Sequence, residues 1–139
     1  MTIPKFRAWT EEGKVMYYDV YPFKDDTLLL SYDEIFFDEV PASDFILMQS
    51  TGLKDENGKE VFEGDIIKDS EDFIAQVVYD KEYAGFGLNY QPFDLTEGLS
   101  VTFEELKNEY QNTFEIIGNI YEKSRIARRI KWKKHMLNF

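Results

Sequence analysis

Residues 48–68, MQSTGLKDENGKEVFEGDIIK, intersperse carboxylates with Gly52, Gly58 and Gly64. Oxygen ligands in a glycine-bearing loop are how calcium is held, so this segment is the first to test for chemistry. A twelve-residue calcium loop starting at Asp55 has Asn57 in its third position. It then requires an oxygen ligand fifth, glycine sixth and glutamate twelfth. The chain supplies Lys59, Glu60 and Ile66, so the pattern fails and no metal ligands are assigned. Two facing carboxylates can also hydrolyse a bond, alone or with a metal. With 27 acids in the chain, close pairs arise by chance, and a carboxylate-based metal-dependent hydrolase is carried only as an alternative. A Ser-His-Asp triad would depend on His135, the single histidine, which lies in a basic tail that is a poor place to orient a buried base. There is no cysteine, and neither G-x-x-x-x-G-K-[ST] nor G-x-G-x-x-G occurs. The expectation is a protein without catalysis, with no catalytic, cofactor-binding or metal residues and no cofactor.

Charge points elsewhere. All 27 acids lie in residues 1–122, against nine cations, for a net charge of −18. Residues 123–139 carry seven cations and no acid. The candidate partner-binding residues are therefore Arg125, Ile126, Arg128, Arg129, Ile130, Trp132, Lys133, Lys134 and Leu137. A basic helix with an aromatic can contact phosphates, which makes nucleic-acid binding through this helix the first alternative, ahead of the hydrolase. The acidic body would repel the same phosphates. Docking of the tail on its own acidic body, or on that of another copy, satisfies both charge and apolar residues, and exchange between copies gives a closed homo-oligomer. The expected partners are a second copy first and a different protein next. An acidic surface that imitates nucleic acid is also compatible with the composition.

The elements that would carry these groups are mostly strands. KFRAWT and KVMYYDV flank EEGK as an opening hairpin with Gly13 at the turn. TLLLSY and FILMQS read as strands, and EIFF as a strand or a helical turn. FIAQVVYD is the clearest strand, and GFGLNY returns beside it. Gly85 and Gly87 suggest a bend or a close backbone approach there. QPFDLTEGLS is a loop. Thr102 and Glu105 form a capping box that starts a short helix near residues 103–111. FEIIGNIYE is a last strand, and the tail reads as a helix from about Arg125, with Ile126, Ile130 and Leu137 near one face.

Within the central stretch, charge selects the turn. A two-residue Asn57–Gly58 turn sets Asp55 opposite Glu60, which is repulsive. A three-residue loop, Glu56-Asn57-Gly58, pairs Asp55 with Lys59, Lys54 with Glu60 and Leu53 with Val61, each favourable by roughly 0.2–1 kcal/mol. It requires a positive φ at Gly58 and a negative one at Asn57, and Gly64 then bends the chain into DIIK.

The fold class is α+β and mostly β: a small SH3-like barrel or a strongly twisted antiparallel sheet, with one short helix and a C-terminal helix. The domain reading is one β-rich domain over 1–122 and a basic helix over 123–139. The first 20 residues lack an apolar signal core, and no segment is long enough to span a bilayer, so the expected location is the cytoplasm, with no membrane partner. KFRAW with MYY, then TGLKDENGKE with EGDII, GFGL and FEIIGNIYE together resemble the YopX family of phage and prophage proteins of Gram-positive bacteria. The resemblance implies an intracellular, β-rich phage-derived protein and no particular activity, and it makes the partner expected after a second copy a host or phage protein. After Glu122 the chain departs from the short acidic ending typical of that family. The opening EGDII is also similar to the start of many small SH3-like barrels, a likeness of fold only.

Overall fold

The chain threads eleven strands, one short helix and one 3-10 turn through the residues described in a computed structural model, 4–90, 101–108 and 113–122. The strands are β1 Phe6–Thr10, β2 Val15–Pro22, β3 Thr27–Ser31, β4 Phe37–Pro41, β5 Ile46–Lys54, β6 Glu60–Phe62, β7 Asp65–Asp69, β8 Ile74–Asp80, β9 Gly85–Tyr90, β10 Val101–Thr102 and β11 Phe114–Asn119. The 3-10 turn is Ala42–Asp44, and α1 is Phe103–Asn108. The strands form a six-stranded sheet, β4-β3-β2-β1-β5-β6, and a five-stranded sheet, β10-β9-β8-β7-β11. Every pairing is antiparallel. The expected β-rich class therefore holds. Among the described residues no barrel closes, because the corner at Glu63–Gly64 sends the chain from the first sheet to the second and leaves both sheets with free edges.

The first sheet buries one apolar cluster, and the second buries a main cluster on one face and a smaller one on the other. In the first, Ala8, Val20, Leu28 and Leu30 pack with Phe6, Tyr17, Val40, Phe45 and Leu47. In the second, Ile67, Ala75, Val77 and Leu88 pack with Leu106 of α1, and Val61 joins them from β6. Alternation explains the partition: Ala75 and Val77 are two residues apart on β8, so they share a face. Ile66 and Ile74 use the other face, with Ile117. Val61 is the apolar link, since its strand belongs to the first sheet and its side chain to the second core.

Polar groups complete that link. Gly64 donates its N–H to Val77 O at 2.9 Å and accepts at its carbonyl from Ile120 N at 3.0 Å. Gly64 has φ +90°, as the sharp corner demands, and an added Cβ would lie 3.2 Å from Met48 Sδ. Trp9 and Tyr121 stack across the junction with centroids 6.0 Å apart.

The turns follow the sequence unevenly. The capping box forms as expected: Glu105 N donates to Thr102 Oγ1 at 3.0 Å, and Thr102 N to Glu105 Oε1 at 3.4 Å. The first hairpin forms, but Lys14 rather than Gly13 takes the left-handed conformation, with φ 51°. Residues 32–35 bend, and of EIFF only its last residue, Phe37, enters a strand, at the start of β4. In the central hairpin Gly58 has φ +81° and Asn57 has no positive φ, as the charge argument requires. Lys54 pairs with Glu60. Leu53 does not pair with Val61. The register shifts between Ser50 and Lys54, with Gly52 at φ +81°, and Thr51 Oγ1 bonds Val61 O at 2.8 Å. A left-handed glycine and a hydroxyl that replaces a ladder bond absorb the extra residues. The loop expected over 91–100 and the helix expected from Arg125 lie outside the described residues.

Candidate functional site

An open groove of about 1230 Å³ lies between the sheets. One wall comes from β1, β2 and the end of β3, the other from β6 and β11. A register shift makes β2 irregular: Tyr17 packs against the first core, while Tyr18 and Tyr21 stay exposed, and together with Tyr32, Phe6 and Phe62 they line the groove. Tyr17 meets Tyr32 edge-on at 5.3 Å, and Tyr18 meets Phe62 at 6.0 Å, so these rings brace one another.

Charge in the groove is uneven. Among the described residues, Asp19, Glu34, Glu60, Asp65, Glu115 and Glu122 face Lys5, Arg7 and Lys59, for a net charge of −3. The deepest pair is Arg7 with Asp65, 2.8 Å apart and each side chain 3% exposed. Arg7 also donates to Glu63 O at 3.1 Å and lies 4.9 Å over the Phe62 ring, while Asp65 accepts from Phe62 N at 2.8 Å. Burial pushes the Asp65 carboxyl above its ordinary value, against the pull of Arg7. This pair joins β1 to β7 and serves as a strut. Nearer solvent, Lys5 reaches Glu60 at 3.5 Å, and Glu115 reaches Lys68 at 3.7 Å.

Beside the groove, the turn between β3 and β4 displays Ile35 and Phe36, each over 70% exposed. Asp33 holds this tip by accepting from Ile35 N and Phe36 N, both at 2.9 Å, and from Ser31 Oγ at 3.3 Å. The N–H donations of Phe36 and Ile35 lower the Asp33 pKa from its ordinary value.

No group of three or more acids or histidines among the described residues is placed to hold a metal ion. Asp55 of the supposed calcium loop is buried and accepts three backbone N–H groups instead, from Asn57, Lys59 and Ile116 at 2.8–2.9 Å. The partner-binding residues read from the sequence, Arg125, Ile126, Arg128, Arg129, Ile130, Trp132, Lys133, Lys134 and Leu137, lie outside the described residues. The groove residues were missed in the sequence because they come from six separate strands and the turns beside them. The local signal was the run of tyrosines from Tyr17 to Tyr21, too many for one buried face.

The architecture is that of a β-rich protein of two linked antiparallel sheets with an acidic, aromatic groove between them. The YopX protein family model matches residues 5–127, and the chain belongs to the YopX protein family. It is also similar to the crystal structure of protein EF1440 from Enterococcus faecalis, with a TM-score of 0.61 and 27% sequence identity over 91% of this chain and 99% of that one. No curated protein matches the sequence. No helix among the described residues is long and apolar enough to cross a membrane.

Proposed function

We propose that this YopX protein is a cytoplasmic phage or prophage accessory protein that works by binding another protein, without a catalytic step. The groove is its binding surface, and the segment it accepts is basic with apolar and aromatic residues. The observation that carries this reading is a −3 lining beside the exposed rings of Tyr18 and Tyr32, braced by Phe62 and Tyr17. Carboxylates select cations, and ring faces take both guanidinium groups and apolar side chains. The groove exceeds the usual volume of a small-molecule pocket and is open along its length, as suits a peptide segment. A second copy of the chain qualifies as the partner, because its residues 123–139 carry seven cations with Ile126, Ile130, Trp132 and Leu137.

The test is fluorescence anisotropy of a labelled peptide spanning residues 123–139, titrated with a chain ending at Glu122. Binding that weakens with salt, and is lost when Asp19 and Glu115 are both changed to lysine, supports the groove. Binding indifferent to those changes refutes it. Light scattering of the full chain at low and high salt reads self-association in parallel.

A further inference from the structure

We infer that the groove is occupied by residues 123–139 of the same chain, so that the protein covers its own binding surface. This inference rests on the groove being the binding surface and adds its resident occupant. Three observations lead to it. Glu122 lines the groove, so the basic segment begins at the groove's own edge. The segment is 17 residues long, enough for roughly 25 Å as a helix and roughly twice that when extended. Its charge of +7 opposes the −3 of the lining.

Covalent attachment decides between the chain's own segment and that of another copy. A segment tethered directly at the site is present at an effective concentration on the order of millimolar. A second copy at micromolar concentration presents the same residues about a thousand times more dilutely. The tethered segment therefore fills the groove first, unless its geometry forbids the approach. A partner must displace it, and Arg128 and Arg129 are the cations whose loss would vacate the site. Lys5 reaches Glu60 and Lys68 reaches Glu115, so Asp19, Glu34 and Glu122 are the groove carboxylates best placed to face an incoming cation.

The chain contains no cysteine, so Met136→Cys gives a single site for a nitroxide label on the full-length protein. Paramagnetic broadening is then read at the groove amides of Asp19, Glu34, Glu115 and Asn119. The expected result is loss of these signals in the isotopically labelled, nitroxide-bearing chain, unchanged on dilution. It should be absent when an isotopically labelled chain without nitroxide is mixed with unlabelled nitroxide-bearing chain. Adding Arg128→Glu and Arg129→Glu should restore the signals. Equal loss in the mixed sample overturns occupancy by the same chain and assigns the groove to a second copy. If the signals persist in both samples, peptide 123–139 is added to the full-length chain carrying both glutamates. Shifts of the same amides then leave the groove as a binding surface while removing its resident occupant. Unmoved amides remove both.

Discussion

Replacing Asp55 with asparagine tests how this fold holds together. Asp55 Oδ1 accepts from Asn57 N at 2.9 Å and Lys59 N at 2.8 Å, which closes the β5–β6 turn. Its Oδ2 accepts from Ile116 N on β11 at 2.9 Å, and Glu56 N donates to Phe114 O at 3.1 Å alongside. One buried carboxylate thus ties the hairpin of the first sheet to the edge strand of the second. Asparagine keeps one oxygen for the turn and presents an NH₂ group to the Ile116 N–H, donor against donor. The loss of a hydrogen bond to a charged group and the stranding of a buried N–H each cost about 1–3 kcal/mol and partly overlap, so the expected destabilisation is about 3 kcal/mol. With a urea slope of about 1–3 kcal/mol/M, the midpoint falls by roughly 1–3 M. Acid provides a second reading. Burial works against the Asp55 charge, but the N–H donations of Ile116, Lys59 and Asn57 outweigh it and hold the pKa below its ordinary 3.8. A depressed folded pKa gives stability that is fully present above 3.8 and is lost as pH falls through the lower folded value. The gap between wild type and Asp55→Asn should therefore stay constant from neutral pH down to about 5 and narrow below about 4. Urea unfolding followed by circular dichroism at several pH values measures it. A gap under about 1 kcal/mol at neutral pH, or one that widens in acid, would refute the bridging role.

Three further outcomes follow from the junction and the helix. Arg7→Met should cost about 3–5 kcal/mol by leaving Asp65 buried and unpaired, whereas Arg7→Met with Asp65→Leu should recover much of that loss; equal melting of the single and double variants would contradict it. Gly64→Ala should lower the melting temperature more than Gly52→Ala or Gly58→Ala. All three adopt positive φ, but only Gly64 has Met48 Sδ, Tyr121 and Arg7 within 4 Å of the added Cβ. Thr102→Ala removes the acceptor for Glu105 N and should cost about 0.5–2 kcal/mol in urea unfolding, with Thr102→Ser close to wild type.

The strands were legible because their signal is local. FIAQVVYD alternates on one face, and GFGLNY returns beside it in continuous register from Asp80–Gly85 to Ala75–Tyr90. The capping box was legible for the same reason, since four consecutive residues contain both partners. Charge opposition located the turn glycine at Gly58, but it could not foresee the bulge at Gly52. That bulge lets Val61 turn toward the second sheet, a requirement set by residues 67–106. Arg7 and Asp65 illustrate the harder case. They are 58 positions apart and look in the sequence like two more surface charges, yet each side chain is 3% exposed. The groove was illegible on the same grounds, because pairing of β1 with β5 and of β7 with β11 brings its two walls together only in the folded chain.

The carboxylates that suggested chemistry have an architectural use that repeats. Asp33 follows β3, Asp55 follows β5, and Asp69, Asp80 and Asn119 end β7, β8 and β11. In each, one side-chain oxygen accepts the N–H groups of residues two and three or four positions ahead. The acceptor mimics a carbonyl and reverses the chain, and left-handed residues complete several of the turns: Glu34, Gly58, Asp72 and Ala84. Asp69 spends its second oxygen on the Tyr90 hydroxyl at 2.9 Å, as Asp55 spends its own on Ile116. An oxygen committed to two backbone donors has little capacity left to take a proton from a substrate or to close around a cation. The acids therefore divide by position. Those at strand ends are consumed by turns, while Asp19, Glu34, Glu60, Glu115 and Glu122 face the groove. Asp55, Asp65 and Asp69 are buried and serve the turns and the sheet junction, so the carboxylates placed to meet a basic segment are those of the groove.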